Sequence, residues 1–341
     1  MKRSLHIRAG GVCTPIVGKP ALCAGLPTYE GVWGESFPPD GVWGDSPKNI
    51  NQTLHMRLTF SKLLPGGNPT ILIPGEDVPE DLLPVFAARL MHPLHVGAEQ
   101  VGALSSKNGM PHLEMMGGEF CVNASRAAAF EWAERGLFAQ VGENAVAGMV
   151  SVSGLWEPIP VAVAPTKQDL RACREAVDAG APLEGPAGVF SEPSLFCAAR
   201  IPVGDARMER LEPGKTLVRL PGICHLLLDA AVHPLPDDLF AAAGRERSRL
   251  HLDAEPAAGV IWCDGPAISP VVWVAATEST HLETACGSAS LALALARGAS
   301  SSVLQPSGEA LDIDLADGTA WVSGRVDRIA RGETWMGAPT V

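Results

Sequence analysis

Two short stretches constrain this chain more than anything else in it: GGEFCVNASRAAA around Cys121 and LETACGSASLALALA around Cys286. Each sets a cysteine behind a glutamate-bearing turn and then runs directly into a segment built to be a helix. Residues 123–135, rich in alanine, read as helix, with Gly136 as its stop. After Cys286 the alternation of Leu and Ala imitates a strand. Both are strong helix formers and no β-branched residue interrupts them, so helix is the better reading. A helix apolar on nearly every side has to be wrapped by other structure.

That pairing suits one kind of chemistry. Inverting the α-carbon of an amino acid requires a proton to leave one face and another to arrive on the opposite face. Two opposed groups do this more readily than one. A free thiol titrates near ~8.5 and a helix N-terminus lowers that value, so one cysteine is expected as thiolate base and the other as thiol acid. The unpaired N–H groups that follow each cysteine can hold a carboxylate, and the helix dipoles favour the negative charge that develops in the reaction. A single cysteine at a helix start is usually only a small buried residue, and Cys173, Cys197, Cys224 and Cys263 read that way. Two cysteines in matching contexts are harder to dismiss.

Between these turns the chain alternates strands and helices. Residues 1–55 are rich in Gly and Pro, carry a small repeat (EGVWGES and DGVWGDS), and read as an extension expected to be poorly ordered. Pro15, Lys19 and Pro20 break any signal-peptide core. From Met56 the pattern becomes regular: strand (56–64), turn, strand (70–73), a helix over 77–91, a strand within 95–104, then the first cysteine turn and its helix, and two strands before 165. A second unit opens with an N-capped helix at Thr166, followed by strands at 216–220, 223–228, 259–263 and 270–276 and a helix near 237–247. The second cysteine turn and a closing set of strands complete it. The expected units are 56–164, 165–320, and 321–341 as a C-terminal segment returning to the first. The expected fold is mixed α/β (α+β): two pseudo-symmetric domains, each a curved, mostly antiparallel sheet or barrel around a central helix.

Composition narrows the partners. With 26 basic and 38 acidic residues the net charge is −12, which opposes attraction to nucleic acid or anionic membrane. No apolar run is long enough to cross a bilayer. The eight cysteines form no CxxC pair and no disulfide framework, so a reducing cytoplasm fits. His92, His95 and Glu99 match no standard zinc spacing, and no metal is expected. No phosphate-binding loop, dinucleotide fingerprint or GxSxG elbow is present.

From Met56 onward the chain resembles the diaminopimelate epimerase family of PLP-independent racemases. FSKLLPGGNPTILI from Phe60, EFCVNASR, ETACGSAS and QPSGEALDI look like that family's four ordered motifs. HVGAEQVG, HLEMMGGEFCVNA and the shortened turn before Cys286 are closer to the histidine racemases of opine-metallophore biosynthesis. The segment TESTHLETAC lacks the arginine that diaminopimelate epimerases use to hold a distal carboxylate. The resemblance implies racemisation of L- and D-histidine without a cofactor, with Cys121 and Cys286 as the two acid/base thiols. It implies substrate contacts from Asn68, Glu99, His112, Val122, Asn123, Glu283, Gly287 and Ser288. Val122 stands where the family has a glycine, and its N–H remains available; Ala289 replaces a second glycine.

Three rivals follow from the same residues: an epimerase acting on diaminopimelate or another amino acid, a non-catalytic small-molecule binder on this fold, and a redox-controlled protein in which the thiols pair. The partner expected is a small-molecule amino acid, and the sequence leaves a homodimer open.

Overall fold

The structure, a computed structural model, describes residues 55–275 and 278–337. The Trp-bearing repeat lies outside the described residues, as does all of the 1–55 stretch except His55. Eight strands close on themselves around the helix that follows Cys121. They are β1 (His55–Pro65), β2 (Thr70–Pro74), β3 (Gln100–Lys107), β4 (Met110–Met115), β6 (Val146–Val152), β7 (Ile159–Ala164), β8 (Ser194–Pro202) and β17 (Thr319–Gly337). Each hydrogen-bonds to the next, and β17 returns to β1. The β2–β3 and β4–β6 pairs are parallel, and the others are antiparallel. The short β5 (Ala139–Gln140) adds to the β6 edge.

Inside this ring lies α2 (Val122–Glu134), with every residue from Val122 to Ala133 buried. Its sequence explains how it fits. Alanines at 124, 127, 128, 129 and 133 let strands approach closely, while Phe130 and Trp132 fill the wider levels. Gly136, at φ 68°, and the 3.0 Å bond from Leu137 N to Trp132 O end the helix where the sequence places its stop.

The second half repeats the scheme with a more open wall. Strands β9 (Arg207–Glu212), β10 (Lys215–Leu220), β11 (Ile223–Asp229), β12 (Ala257–Asp264) and β13 (Ala267–Val274) run side by side. Beyond them come β14 (Ser279–Leu282), β15 (Ser301–Leu304) and β16 (Ala310–Ala316), the last pairing with β17. They wrap α5 (Gly287–Arg297), whose residues Gly287 to Ala294 are all buried. It ends at Gly298, in the left-handed region at φ 65°. Three helices pack outside: α1 (Leu83–Met91) on β3, α3 (Lys167–Asp178) on β7 and β8, and α4 (Leu239–Arg249) on β12 and β13. Thr166 and Asp238 cap the last two through their side chains, accepting from Asp169 N at 3.1 Å and Ala241 N at 2.9 Å.

Three local readings change. The helix expected over 77–91 is continuous only from Leu83, preceded by two 3₁₀ turns at Gly75–Asp77 and Glu80–Leu82. Pro79 forces Val78 into an extended conformation (φ −133°, ψ 122°), and Pro84 is tolerated only in the first helical turn. The strand sought in 95–104 begins at Gln100, after Gly97 turns at φ 72°. The strand at 270–276 runs instead over Ala267–Val274.

Candidate active site

Both cysteines are the N-cap residues of their helices, with nearly the same backbone: Cys121 at φ −128°, ψ 115° and Cys286 at φ −131°, ψ 105°. The local bonding repeats as well. Ser125 Oγ donates to Cys121 O at 2.8 Å, and Ser290 Oγ donates to Cys286 O at 2.7 Å. Each serine sits four residues after its cysteine and secures the first turn. The extended cap leaves each sulfur outside the helix, facing what lies beyond its end.

What lies beyond each end is the other helix. A Cβ built on Gly287, the first residue of α5, would stand 2.8 Å from Val122 Cγ1 and 3.0 Å from Asn123 Oδ1. The two N-termini therefore meet head to head, and glycine at 287 is what lets them. Between them is a cavity of ≈ 50 Å³ lined by Cys121, Cys286, Glu99, Val122, Asn123, Glu283, Gly287 and Ser288, together with residues the sequence reading did not single out.

The hydrogen bonds around the sulfurs differ. Cys121 donates from Sγ to Gln100 Oε1 at 2.8 Å, and Gln100 is oriented by its own bond to Thr70 Oγ1 at 2.7 Å. Cys286 Sγ lies 3.5 Å from Ser288 Oγ, which is 2.9 Å from Nε2 of the fully buried His225. His225 Nδ1 has no partner; a lone pair without a partner costs less than an orphaned N–H, so the ring is best drawn with its proton on Nε2, donating to Ser288. The Cys286 backbone N–H is held by Gln305 Oε1 at 2.9 Å.

The expected lowering of a thiol pKa at these helix ends is overturned. Burial pushes Cys286 well above the usual thiol value, and the neighbouring Glu283 carboxylate pushes it further. Cys121 keeps partial exposure, and burial still moves it upward, with Glu283 and Glu119 adding to the shift. The cap N–H groups act in the opposite sense and are outweighed. The same desolvation raises Glu99 and Glu119, and raises Glu283 to about 8.

Several expected contacts have other occupations. Asn68 is not on the cavity wall: its Nδ2 donates to Glu99 Oε2 at 2.6 Å and to Ala285 O at 3.2 Å, and its Oδ1 accepts from Thr70. Asn123 Nδ2 donates to the same Ala285 carbonyl at 2.8 Å, while its Oδ1 accepts from the buried Arg126 at 2.8 Å. Glu99 lines the cavity and also accepts from Thr284 N at 3.1 Å and Thr284 Oγ1 at 2.8 Å. These residues stitch the turn before Cys286 to the first barrel. His112 does not reach the cavity. It lies on β4, bonded to Ser151 Oγ and Glu114 Oε2, both at 3.0 Å, because its place in the strand aims it at a separate hollow beside Gly75 and Val78. Sequence reasoning missed Gln100, Glu119, His225, His281 and Gln305. Gln100 adjoins Glu99, Glu119 is the glutamate of the turn before Cys121, and Gln305 opens the QPSGEALDI motif just after β15, whereas His225 lies on the distant strand β11, where nothing local marks it.

Residues 57–180 match the model of the "Histidine racemase CntK N-terminal domain". Over 72 residues the chain is 46% identical to histidine racemases from two strains of Fusobacterium nucleatum subsp. nucleatum, a match spanning 21% of this chain and 26% of those relatives' own length. In fold it is similar to the crystal structure of a hydroxyproline epimerase from Agrobacterium vitis with bound trans-4-hydroxy-L-proline. The TM-score is 0.53 at 12% identity, over 83% of this chain and 94% of that one. At that identity the likeness is one of fold.

Proposed function

We propose that this protein is an amino-acid racemase that works without a cofactor, using Cys121 and Cys286 as its two acid/base groups, and that its substrate is histidine. The observation carrying this is the head-to-head meeting of α2 and α5, whose N-cap cysteines line one small cavity. One sulfur takes the α-proton while the other delivers a proton to the opposite face. The N–H groups at the two helix starts, among them those of Val122, Gly287 and Ser288, receive the α-carboxylate. The relatives' names agree with a racemase of histidine.

The electrostatics of the wall favour that substrate. Among the described residues the cavity carries three carboxyl groups, Glu99, Glu119 and Glu283, and no Lys or Arg. A substrate with an α-ammonium and a protonatable ring complements it. Diaminopimelate, with a second carboxylate at its far end, meets acidic groups and no cation there. Two thiols that must stay reduced suit the cytoplasm.

The test is α-proton exchange in heavy water, amino acid by amino acid, with a reductant present. Histidine is expected to exchange and racemise, and Cys121→Ala or Cys286→Ala to reduce racemisation by several orders of magnitude. Exchange of diaminopimelate instead assigns a different substrate. Tight binding without exchange makes the protein a binder. Full activity in either alanine variant refutes the role given to that thiol.

A further inference from the structure

The cavity between the helix ends is too small for the substrate just proposed. Its ≈ 50 Å³ holds a few waters, whereas small-molecule pockets run from about 300 Å³ upward. A much larger space, a groove of ≈ 720 Å³, shares one lining residue with it. Ile223 lines both. It opens β11, just after Pro221 and Gly222, and Gly222 at φ 75° makes the tight turn from β10. A second glycine turn approaches from the first barrel. A Cβ on Gly154 would stand 2.4 Å from Phe120 N, and one on Gly222 would stand 3.6 Å from the same atom. Two glycine turns, one from each half, therefore clasp the residue before Cys121. Ile223 packs on the apolar cluster that contains Phe120 and Cys286.

We propose that the groove is the route by which substrate reaches the two thiols and that Ile223, backed by Phe120, is the gate that decides which side chains pass. This rests on the racemase reading above. Ile223 is half-buried and branched, so a change of its rotamer, or a small shift of the β10–β11 turn, joins the two spaces. The groove suits a zwitterion in transit: it offers Arg207, Asp205 and Glu157 and the Arg219–Glu255 pair, with Trp156 at its rim 99% exposed. A substrate whose ring outgrows the inner cavity extends through the gate, which makes Ile223 a specificity-determining position.

Iodoacetamide labelling of the full chain, followed cysteine by cysteine with mass spectrometry, tests the route without needing turnover. Ile223→Ala is expected to speed labelling of Cys121 and Cys286 at least tenfold, and Ile223→Trp to slow it at least tenfold. Cys173, on the buried face of α3, should label at one slow rate throughout and so report an intact fold. If Ile223→Trp disturbs Cys173, Ile223→Ala alone decides. Should both site cysteines label at the wild-type rate in an intact Ile223→Ala protein, the gate is refuted. If labelling follows residue 223 while no amino acid exchanges its α-proton, the route stands and the racemase reading falls.

Discussion

Gly287→Ala is the sharpest single perturbation of this site. Helix propensity alone favours alanine over glycine by about 1 kcal/mol in a helix interior, and Gly287 is not in the left-handed region, so no backbone strain opposes the change. What opposes it is space. The new methyl would lie 2.8 Å from Val122 Cγ1 and 2.9 Å from Val122 Cβ, against an ordinary carbon–carbon contact of roughly 3.5–4.0 Å. Val122 is fixed at the first position of a helix inside a closed barrel, so the two helix ends must part by about 1 Å. Overpacking of this kind costs roughly 1–3 kcal/mol in stability. A displacement of about 1 Å between reacting groups costs on the order of 100-fold in rate. The expected result is therefore a modest fall in the thermal midpoint with a large fall in kcat/KM for histidine. Val122→Gly removes both crowding carbons, so in the double variant most of the lost rate should return. The reasoning fails if Gly287→Ala keeps kcat/KM within about twofold of wild type, or if Val122→Gly restores nothing.

Two further perturbations probe the supports of the site. Glu283, raised to about 8 by burial, binds its proton more tightly in the folded chain than in the unfolded one. Between pH 4.5 and about 8 the folded state therefore holds the extra proton, and stability declines as pH rises through that window; Glu283→Gln should flatten that decline in urea midpoints measured across it. Gln305→Leu strips the acceptor from Cys286 N and the donor from Ser290 Oγ, each bonded at 2.9 Å, leaving a buried N–H unpaired. A loss of roughly 1–3 kcal/mol is expected from chemical denaturation, together with reduced activity, since Cys286 loses its anchor.

The parts of this structure that were legible in the sequence are those written locally. The helices after Cys121 and Cys286 follow from alanine and leucine content and their glycine stops. The residues immediately around each cysteine fall on one cavity because N-cap geometry aims them together. Strand β8 was not read: SLFCAARIP has a run of three buried residues, Cys197 to Ala199, at its centre, and a strand covered on both sides there shows no clean alternation. Strand β9, RMERLE, was missed for the opposite reason, being exposed and charged along its length. Asn68 and His112 show the limit for side chains. Their positions in a motif could be read, but whether a strand or turn aims them at the cavity depends on partners such as Ala285 and Ser151, which lie far away in the chain. The error over the thiols has the same origin. The helix end is visible in the sequence, whereas the depth of burial and the three nearby carboxyl groups are properties of the assembled fold.

That error changes how the chemistry must begin. With both thiols raised by burial, the free protein should hold two neutral thiols at neutral pH. Among the described residues no Lys or Arg lines the cavity to favour a thiolate. The buried Arg126, lowered to about 10 by burial yet still charged at neutral pH, stands behind Asn123. On the racemase reading proposed above, the positive charge that favours a thiolate arrives with the substrate, as its α-ammonium. Binding and base formation are then one event, and in the free protein only the small thiolate fraction left by the raised pKa reacts. Ultraviolet thiolate absorbance, taken as the difference between wild type and Cys121→Ala or Cys286→Ala, reads this directly. No thiolate is expected at neutral pH in the free protein. One should form on adding histidine, and none on adding imidazole propionate, which has the ring and the carboxylate but no ammonium. A thiolate already present in the free protein at neutral pH would mean that the helix ends outweigh burial after all, and that the carboxyl groups around the sulfurs do not set their state.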